Sequence, residues 1–519
     1  MRRNHYGPTM KILLIQPSRH PDSLIFGDME PYALEVLGAC LRQDPDLRSD
    51  IDVEILDLRM EKSEALARAI GRSRPQIVGI TGITIDQPSM MSVAREVKAL
   101  APETTVVVGG HHATMLPSDF LDPCIDLIVR GPGTKVLPEI VKRLAGAGDF
   151  EGMAGVIYRT DDGFLENRGW SANVDASNLL SPDRSLVARY RKRYRFQALR
   201  WGLVLSSQGC PFRCTFCACW RALDGQYLTK PLEQVVEEIE QVPETHVFLG
   251  DDHTFLDAER AARFAELIAK NGIKREFMAY SRADTIVKNP DLYRKWADVG
   301  LRYVTVGFES VSDEGLRRFN KGSTIAINEK ANQILLQHGI HNMAHLLIDP
   351  SFTRDDFKQV WDYTHELGVV HPVFPILTPL PGTDLWEEHV EQVHGVKRQY
   401  FDLAHPVLET RLPLDEFYEE WFSLHTQNYS LKRWALAKAK TVVNALSRSE
   451  RYPDYACRAP EFTSILYSHW KLAALRRGAK RLDARNLRSA TPPTRTALPA
   501  TIPPANLLKG KDPHPPQGA

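Results

Sequence analysis

From residue 11 to about residue 150 the chain alternates two patterns. Residues 11–16, 52–58, 76–81, 104–109 and 126–130 are short apolar runs that read as buried strands. Between them, residues 33–41, 64–73, 88–101 and 136–145 carry apolar side chains at helical spacing. Strands apolar on both faces, alternating with helices, predict a parallel, doubly wound, Rossmann-like α/β domain over residues 10–150. Ligands of such sheets bind at the carboxyl ends of the strands. Those ends carry Gln16-Pro17-Ser18-Arg19, Thr81-Gly82-Ile83-Thr84-Ile85, Gly109-Gly110-His111-His112-Ala113-Thr114 and Arg130-Gly131-Pro132-Gly133-Thr134. Small residues and paired glycines let backbone approach a large flat ligand. Taken singly, each loop also serves as a tight strand-to-helix turn.

Residues 151–200 form a connector, with a hairpin pattern around Asp161-Asp162-Gly163. Its basic, aromatic segment, Tyr190-Arg191-Lys192-Arg193-Tyr194-Arg195-Phe196, reads as a solvated or interdomain face. The alternation then resumes. Strand-like runs at 203–207, 246–251, 276–280, 303–309, 341–349 and 372–379 are separated by helical stretches at 231–241, 257–271, 289–299, 324–338 and 353–367. Gly272, Gly300, Gly339 and Gly368 supply helix stops. Six repeats predict an open (β/α)6 partial barrel over 201–385, with its chemistry at the strand C-termini. A helical region follows at 386–488, with an amphipathic stretch at 414–424 after a candidate lid at 400–406. Residues 489–519, rich in Pro, Thr and Ala, read as a disordered tail.

Composition narrows the function classes. Lys+Arg and Asp+Glu both number 65, so no global field points to nucleic acid. No run approaches the roughly 18 apolar residues of a membrane span, and the N-terminus has no secretory apolar core. Four of the 7 cysteines crowd between Cys210 and Cys219, while Cys40, Cys124 and Cys457 stand alone. That is no disulfide framework; it predicts a reducing, cytoplasmic setting with one metal site. Residues 429–488 are basic with interleaved Trp434 and Trp470. They are a candidate peripheral contact with an anionic inner-membrane surface or an acidic partner, against the plainer reading of a solvated helical face.

The chemistry concentrates in Cys210-x3-Cys214-x2-Cys217, directly after the first barrel strand. A four-iron cluster normally takes four cysteines. Three leave one iron open, and an open position is where a metal site does chemistry. Other barrel strand ends bring Asp251, Ser281, Arg282, Glu309 and Ser310 to the same mouth.

This motif, with Phe216 before its last cysteine and Gly250-Asp251-Asp252, Ser281-Arg282 and Gly307-Phe308-Glu309-Ser310 downstream, resembles the radical S-adenosylmethionine (SAM) superfamily. The N-terminal domain resembles the cobalamin-binding domain of one branch of it, through Gly109-Gly110-His111-x-Ala113-Thr114 and Arg130-Gly131-x-Gly133. The resemblance implies a [4Fe-4S] cluster on Cys210, Cys214 and Cys217. It implies SAM held by Phe216, Asp251, Ser281, Arg282, Glu309 and Ser310, with Asp251 near its amino group. Cobalamin is then expected at Ser18, Thr81, Gly82, Ile83, Gly109, Gly110, His111, Arg130, Gly131 and Gly133. It further implies an external electron donor and C-methylation of a small molecule through a 5′-deoxyadenosyl radical and methylcobalamin, with no assigned acid–base residue. A cyclase or other redox enzyme using the same cofactors is the alternative within the family. A zinc- and corrinoid-binding protein, with Cys219 as fourth thiolate, is the alternative outside it. Departures are visible: residues 10–150 hold no Asp-x-His-x-x-Gly motif for a cobalt-ligating histidine, and Pro132 and Thr134 stand where the branch often has glutamates. Within the branch, Glu30-Pro31, Leu34-Glu35, Ala404-His405-Pro406-Val407-Leu408 and Thr410-Arg411-Leu412-Pro413-Leu414 are similar to the hopanoid C-3 methylase group, implying a polycyclic lipid substrate.

Overall fold

The first alternation folds as β1 (Met10–Gln16), α1 (Tyr32–Gln43), β2 (Ile51–Asp57), α2 (Ala65–Ser73), β3 (Ile77–Thr81), α3 (Gln87–Leu100), β4 (Thr105–Gly109), α4 (His111–Met115), β5 (Leu127–Val129) and α5 (Gly133–Gly146). The connector hairpin, β6 (Val156–Thr160) and β7 (Gly163–Glu166), joins the same sheet and completes the order β2-β1-β3-β4-β5-β6-β7. Strands β1 to β5 are parallel; β6 and β7 add antiparallel. One face packs on α2 and α3 through Leu66, Ala69, Met90 and Val97, the other on α1 and α5 through Leu34, Leu41, Leu137 and Ile140. The doubly wound prediction holds, and the sheet extends past residue 150 into the connector. The computed structural model describes residues 9–428 except 22, 24–27, 147, 171–173, 176–178, 197–198 and 370.

The second unit runs β8 (Trp201–Val204), β9 (Ser207–Gln208), α6 (Cys219–Ala222), β10 (Leu228–Thr229), α7 (Leu232–Gln241), β11 (His246–Leu249), α8 (Ala258–Lys270), β12 (Glu276–Ser281), α9 (Ala283–Lys288), α10 (Pro290–Asp298), β13 (Leu301–Glu309), α11 (Asp313–Arg318), α12 (Ile325–Gln337), β14 (His341–Leu346) and α13 (Arg354–Glu366). Its parallel strands lie in the order β14-β13-β12-β11-β8. The expected sixth strand at 372–379 does not form. That segment meets the sheet only through isolated bridges, Val373 to His345 and Ile376 to Ile348. Pro372, Pro375 and Pro379 remove amide donors along it, so a continuous ladder is impossible. Gly272, Gly300, Gly339 and Gly368 all adopt positive φ after their helices, as predicted.

Helices α14 (Asp384–Val393) and α15 (Leu414–Asn428) close the described chain. The basic region 429–488 and the tail lie outside the described residues. Among the described residues, no helix is long and apolar enough to cross a membrane.

Two polar junctions fix how the units meet. In the first, Glu30 accepts from Arg184 Nη1 (2.5 Å), Arg191 Nη1 (3.0 Å) and the Leu203 amide of β8 (2.7 Å). Arg184 also reaches Glu238 of α7 (2.8 Å), and Arg191 reaches Glu244 (2.5 Å). The basic connector segment is therefore an interdomain face. In the second, His112 bridges Thr84 Oγ1 (3.2 Å) and Asp119 (3.0 Å), and Arg398 Nε donates to Asp119 (2.7 Å). Burial pushes the Asp119 carboxyl up, but its bonds with His112 and Arg398 outweigh this and hold it at about 2.

That depression carries a stability prediction. The unfolded value of an aspartate is about 3.9, so pairing contributes about 2 kcal/mol, present above pH 4 and lost as pH falls through 2. Asp119→Asn is expected to destabilise by that amount at pH 7 in urea melts. The gap from the unaltered protein should narrow below pH 4; a gap constant from pH 7 to pH 3 would contradict the ion pair.

Candidate active site

The cysteine loop is built by the end of β8. Asp251, fully buried, accepts from the Ser206 amide (2.6 Å), the Ser207 amide (2.9 Å) and Ser206 Oγ (2.7 Å). Asp252 accepts from the Gly209 amide (2.7 Å). Gly209 has φ +89°, and a Cβ there would lie 2.0 Å from the Gln226 carbonyl oxygen, so only glycine fits the turn into Cys210. Downstream, the Thr215 amide donates to Phe319 O (3.1 Å), and Leu385 donates to Thr215 O (3.0 Å). Phe216 packs edge-on against Phe319, ring centroids 5.5 Å apart.

Burial pushes the Cys210 thiol up to about 11, and neighbouring Cys217 and Cys214 push the same way. The three thiols thus share one neighbourhood. Yet among the described residues no three His, Cys, Asp or Glu side chains converge as ligands of a single ion. A four-iron cluster takes one cysteine per iron, so its thiolates need not meet at a single ion.

Charged groups ring the loop. Arg282, 6 % exposed, places Nη1 3.9 Å from Cys214 Sγ and its guanidinium carbon 3.8 Å from the Phe212 ring centroid. Asp284 (2.9 Å) and the Lys321 carbonyl fix its fork. Glu309 has φ +63° at a shift in the β13–β14 register and accepts from Lys321 Nζ (2.7 Å). Left-handed backbone at a non-glycine residue costs on the order of 1–3 kcal/mol and is typical of functional sites. A Cβ on Gly307 would lie 2.0 Å from Glu309 Oε1, so that glycine makes room for the folded-back carboxylate.

Between the two units lies a cavity of about 650 Å³. Its walls are mostly aliphatic, from Leu34, Leu37 and Leu137 on one side to Leu203, Leu205 and Phe248 on the other. Thr81, Gly109, Gly110, His111, Gly131 and Gly133 line it, at the sheet edge where they were expected. Gly110 has φ +94°, and a Cβ there would sit 2.5 Å from Thr81 Oγ1. A glycine-lined cradle between sheet edge and barrel mouth suits a large flat cofactor.

Other expected residues stand elsewhere. Asp251 spends three hydrogen bonds on the Ser206–Ser207 turn; Asp252 is the carboxylate that acts on the cysteines. Ser281 is buried and bonds Tyr293 (2.6 Å). Ser310 receives the Ser312 amide (3.1 Å). Arg130 turns away to Glu166 and the Thr114 carbonyl. Ser18 and Gly82 do not line the cavity, and Gly82 backs onto Asp86 and Met90. Ile83 lies outside the lining too and is 46 % exposed. His112, and not His111, makes the structural bonds of its loop; His111 lines the cavity with its pKa lowered by burial. Sequence reading missed Lys321, Lys230 and Tyr280. Only Lys321 carried a local signal, the Asn320-Lys321-Gly322 turn with positive φ on both sides.

A three-cysteine cluster loop at a barrel mouth, facing a glycine-lined cavity on a doubly wound sheet, defines an iron–sulfur enzyme that works with a second large cofactor. Residues 204–363 match the Radical SAM superfamily and residues 24–141 the B12 binding domain. The chain belongs to the cobalamin-binding branch of the radical SAM enzymes, and its cofactors are a [4Fe-4S] cluster, SAM and cobalamin. It is 29 % identical over 437 residues to the hopanoid C-3 methylase of Methylococcus capsulatus, covering 83 % of this chain and 82 % of that one. It is 24 % identical over 424 residues to the anaerobic magnesium-protoporphyrin IX monomethyl ester cyclase of Cereibacter sphaeroides, covering 78 % and 67 %. The fold matches the radical SAM methyltransferase TsrM from Kitasatospora setae (TM-score 0.61, 21 % identity, 75 % of this chain and 79 % of that one). It also matches the cobalamin-dependent radical enzyme OxsB (TM-score 0.63, 14 % identity, 93 % and 82 %). Family membership removes the zinc-binding alternative and leaves Cys219 without a ligand role.

Proposed function

We propose that the substrate of this cobalamin-dependent radical SAM methyltransferase is a polycyclic, hopanoid-type lipid, methylated at an unactivated carbon. The observation that carries this reading is the similarity to a hopanoid C-3 methylase along 83 % of the chain. The aliphatic walls of the interdomain cavity agree with it, since an apolar substrate needs few polar contacts to bind. When bound, the cluster with SAM supplies a radical that removes a hydrogen atom, and cobalamin supplies the methyl group.

The chain's own residues position these groups and keep water out. Cys210, Cys214 and Cys217 would hold the cluster, three thiolates for four irons. Arg282 and the Glu309–Lys321 pair flank the cluster with fixed charges suited to the amino-acid and ribose parts of SAM. Thr81, Gly109, Gly110 and His111 present backbone and small polar groups to the corrin. Phe248 and Tyr280 line the barrel side of the cavity. We assign residues 429–488 the peripheral membrane contact through which a lipid would arrive, on their basic and aromatic composition.

The test is anaerobic reconstitution with iron, sulfide and cobalamin, followed by incubation with hopanoid extract and SAM labelled in its methyl group. Label in the hopanoid fraction, with 5′-deoxyadenosine released, is expected. The cyclase relatives motivate a second reading, redox chemistry without methyl transfer. Deoxyadenosine without label in any product would favour it.

A further inference from the structure

The cavity wall contains a buried ammonium whose hydrogen bonding is incomplete. Lys230 follows β10 on the barrel side; its side chain is 1 % exposed and lines the cavity. It donates to Glu238 Oε2 (2.8 Å) and to the Tyr32 hydroxyl (3.2 Å), which in turn donates to Glu238 Oε1 (3.2 Å). Tyr32 opens α1 on the other unit and lines the same cavity. An ammonium has three donors. The third N–H of Lys230 has no acceptor among the described residues, and a buried donor left unpaired is costly.

The charge balance around it selects the acceptor. Lys230, Arg184 and Arg191 meet Glu30, Glu238 and Glu244, three cations against three anions. Glu35, in the same network, has no hydrogen bond to either carboxylate oxygen. Burial, with Glu30 beside it, pushes its carboxyl well up, toward the uncharged form. The network is thus closed in charge and open by one hydrogen bond, and a second anion there would be uncompensated.

We infer that Lys230 donates its third hydrogen bond to a carboxamide oxygen on the rim of the corrin, so that cobalamin completes a contact shared by Tyr32 of one unit and Lys230 of the other. The inference rests on the cavity holding cobalamin. No acidic side chain lines the cavity, and Lys230 is the one lysine or arginine that does, among the described residues.

The test is equilibrium dialysis of the anaerobically prepared full chain against hydroxocobalamin and against cobinamide, the same corrin without its nucleotide tail. Lys230→Met combined with Glu238→Gln keeps the network neutral, and about tenfold weaker binding of both corrins is expected. Arg191→Met with Glu244→Gln cuts the same network away from the cavity; it should lower the melting temperature and leave affinity unchanged. Unchanged affinity in the Lys230 double variant would overturn the inference. So would a loss confined to cobalamin, which would point to the phosphodiester of the tail, or an equal loss in the Arg191 variant, which would assign the effect to domain packing. Failure of the unaltered protein to bind either corrin would sink the cobalamin assignment beneath it.

Discussion

Replacing any one of Cys210, Cys214 and Cys217 by Ala is expected to abolish both the iron–sulfur chromophore and the release of 5′-deoxyadenosine. On the proposed ligation each thiolate would serve a different iron, so losing one would leave that iron unheld. Cys219 lies two residues from Cys217 at the start of α6, and its thiol interacts with Cys217 and Asp252. Cys219→Ala should therefore retain iron, sulfide and SAM cleavage close to the unaltered protein. Iron and sulfide content after anaerobic reconstitution, with chromatography of the deoxyadenosine, reads both outcomes. A full cluster in Cys214→Ala, or its loss in Cys219→Ala, would move the site by one ligand. Cobalamin binding should survive in all four variants, because none of the four cysteines lines the cavity.

Arg184→Met is expected to cost about 3–5 kcal/mol of stability. The guanidinium is 11 % exposed and serves Glu30, Glu238 and the Leu203 carbonyl, three acceptors from three segments. Methionine fills the space and leaves two buried carboxylates short of a partner. Arg184→Lys should recover only part of the loss, since a point charge does not reproduce the fork. Chemical denaturation at pH 7 checks this. A deficit under 1 kcal/mol at pH 7 would mean that solvent or the remaining cations already neutralise Glu30 and Glu238.

Much of the fold was legible because its signals are local. Apolar runs of five to seven residues gave the strands of the first sheet to within a residue or two, and glycines gave the helix ends. The sixth barrel strand was misread because its apolar pattern is real while its prolines forbid the ladder. The cysteine motif was legible because its ligands sit on one loop. Asp251 and Asp252 were not separable by pattern: adjacent residues on an extended segment face opposite ways, and only packing shows that Ser206 and Ser207 consume the first. The surroundings of Ser281 were likewise not readable by pattern, since Tyr293 lies twelve positions on and reaches back from α10.

The sequence by itself determined the order of the two units, the cysteine motif and the glycine loops, all of which depend on spacing fixed by the covalent chain. Tertiary structure alone decided which charges meet. Glu30 finds Arg184 across 154 positions, Tyr32 finds Glu238 across 206, and Asp119 finds Arg398 across 279. A salt bridge leaves no periodic trace along a chain, because its partners need proximity only after folding. Burial then sets their worth, since the same ion pair is weak in water and strong where water is excluded.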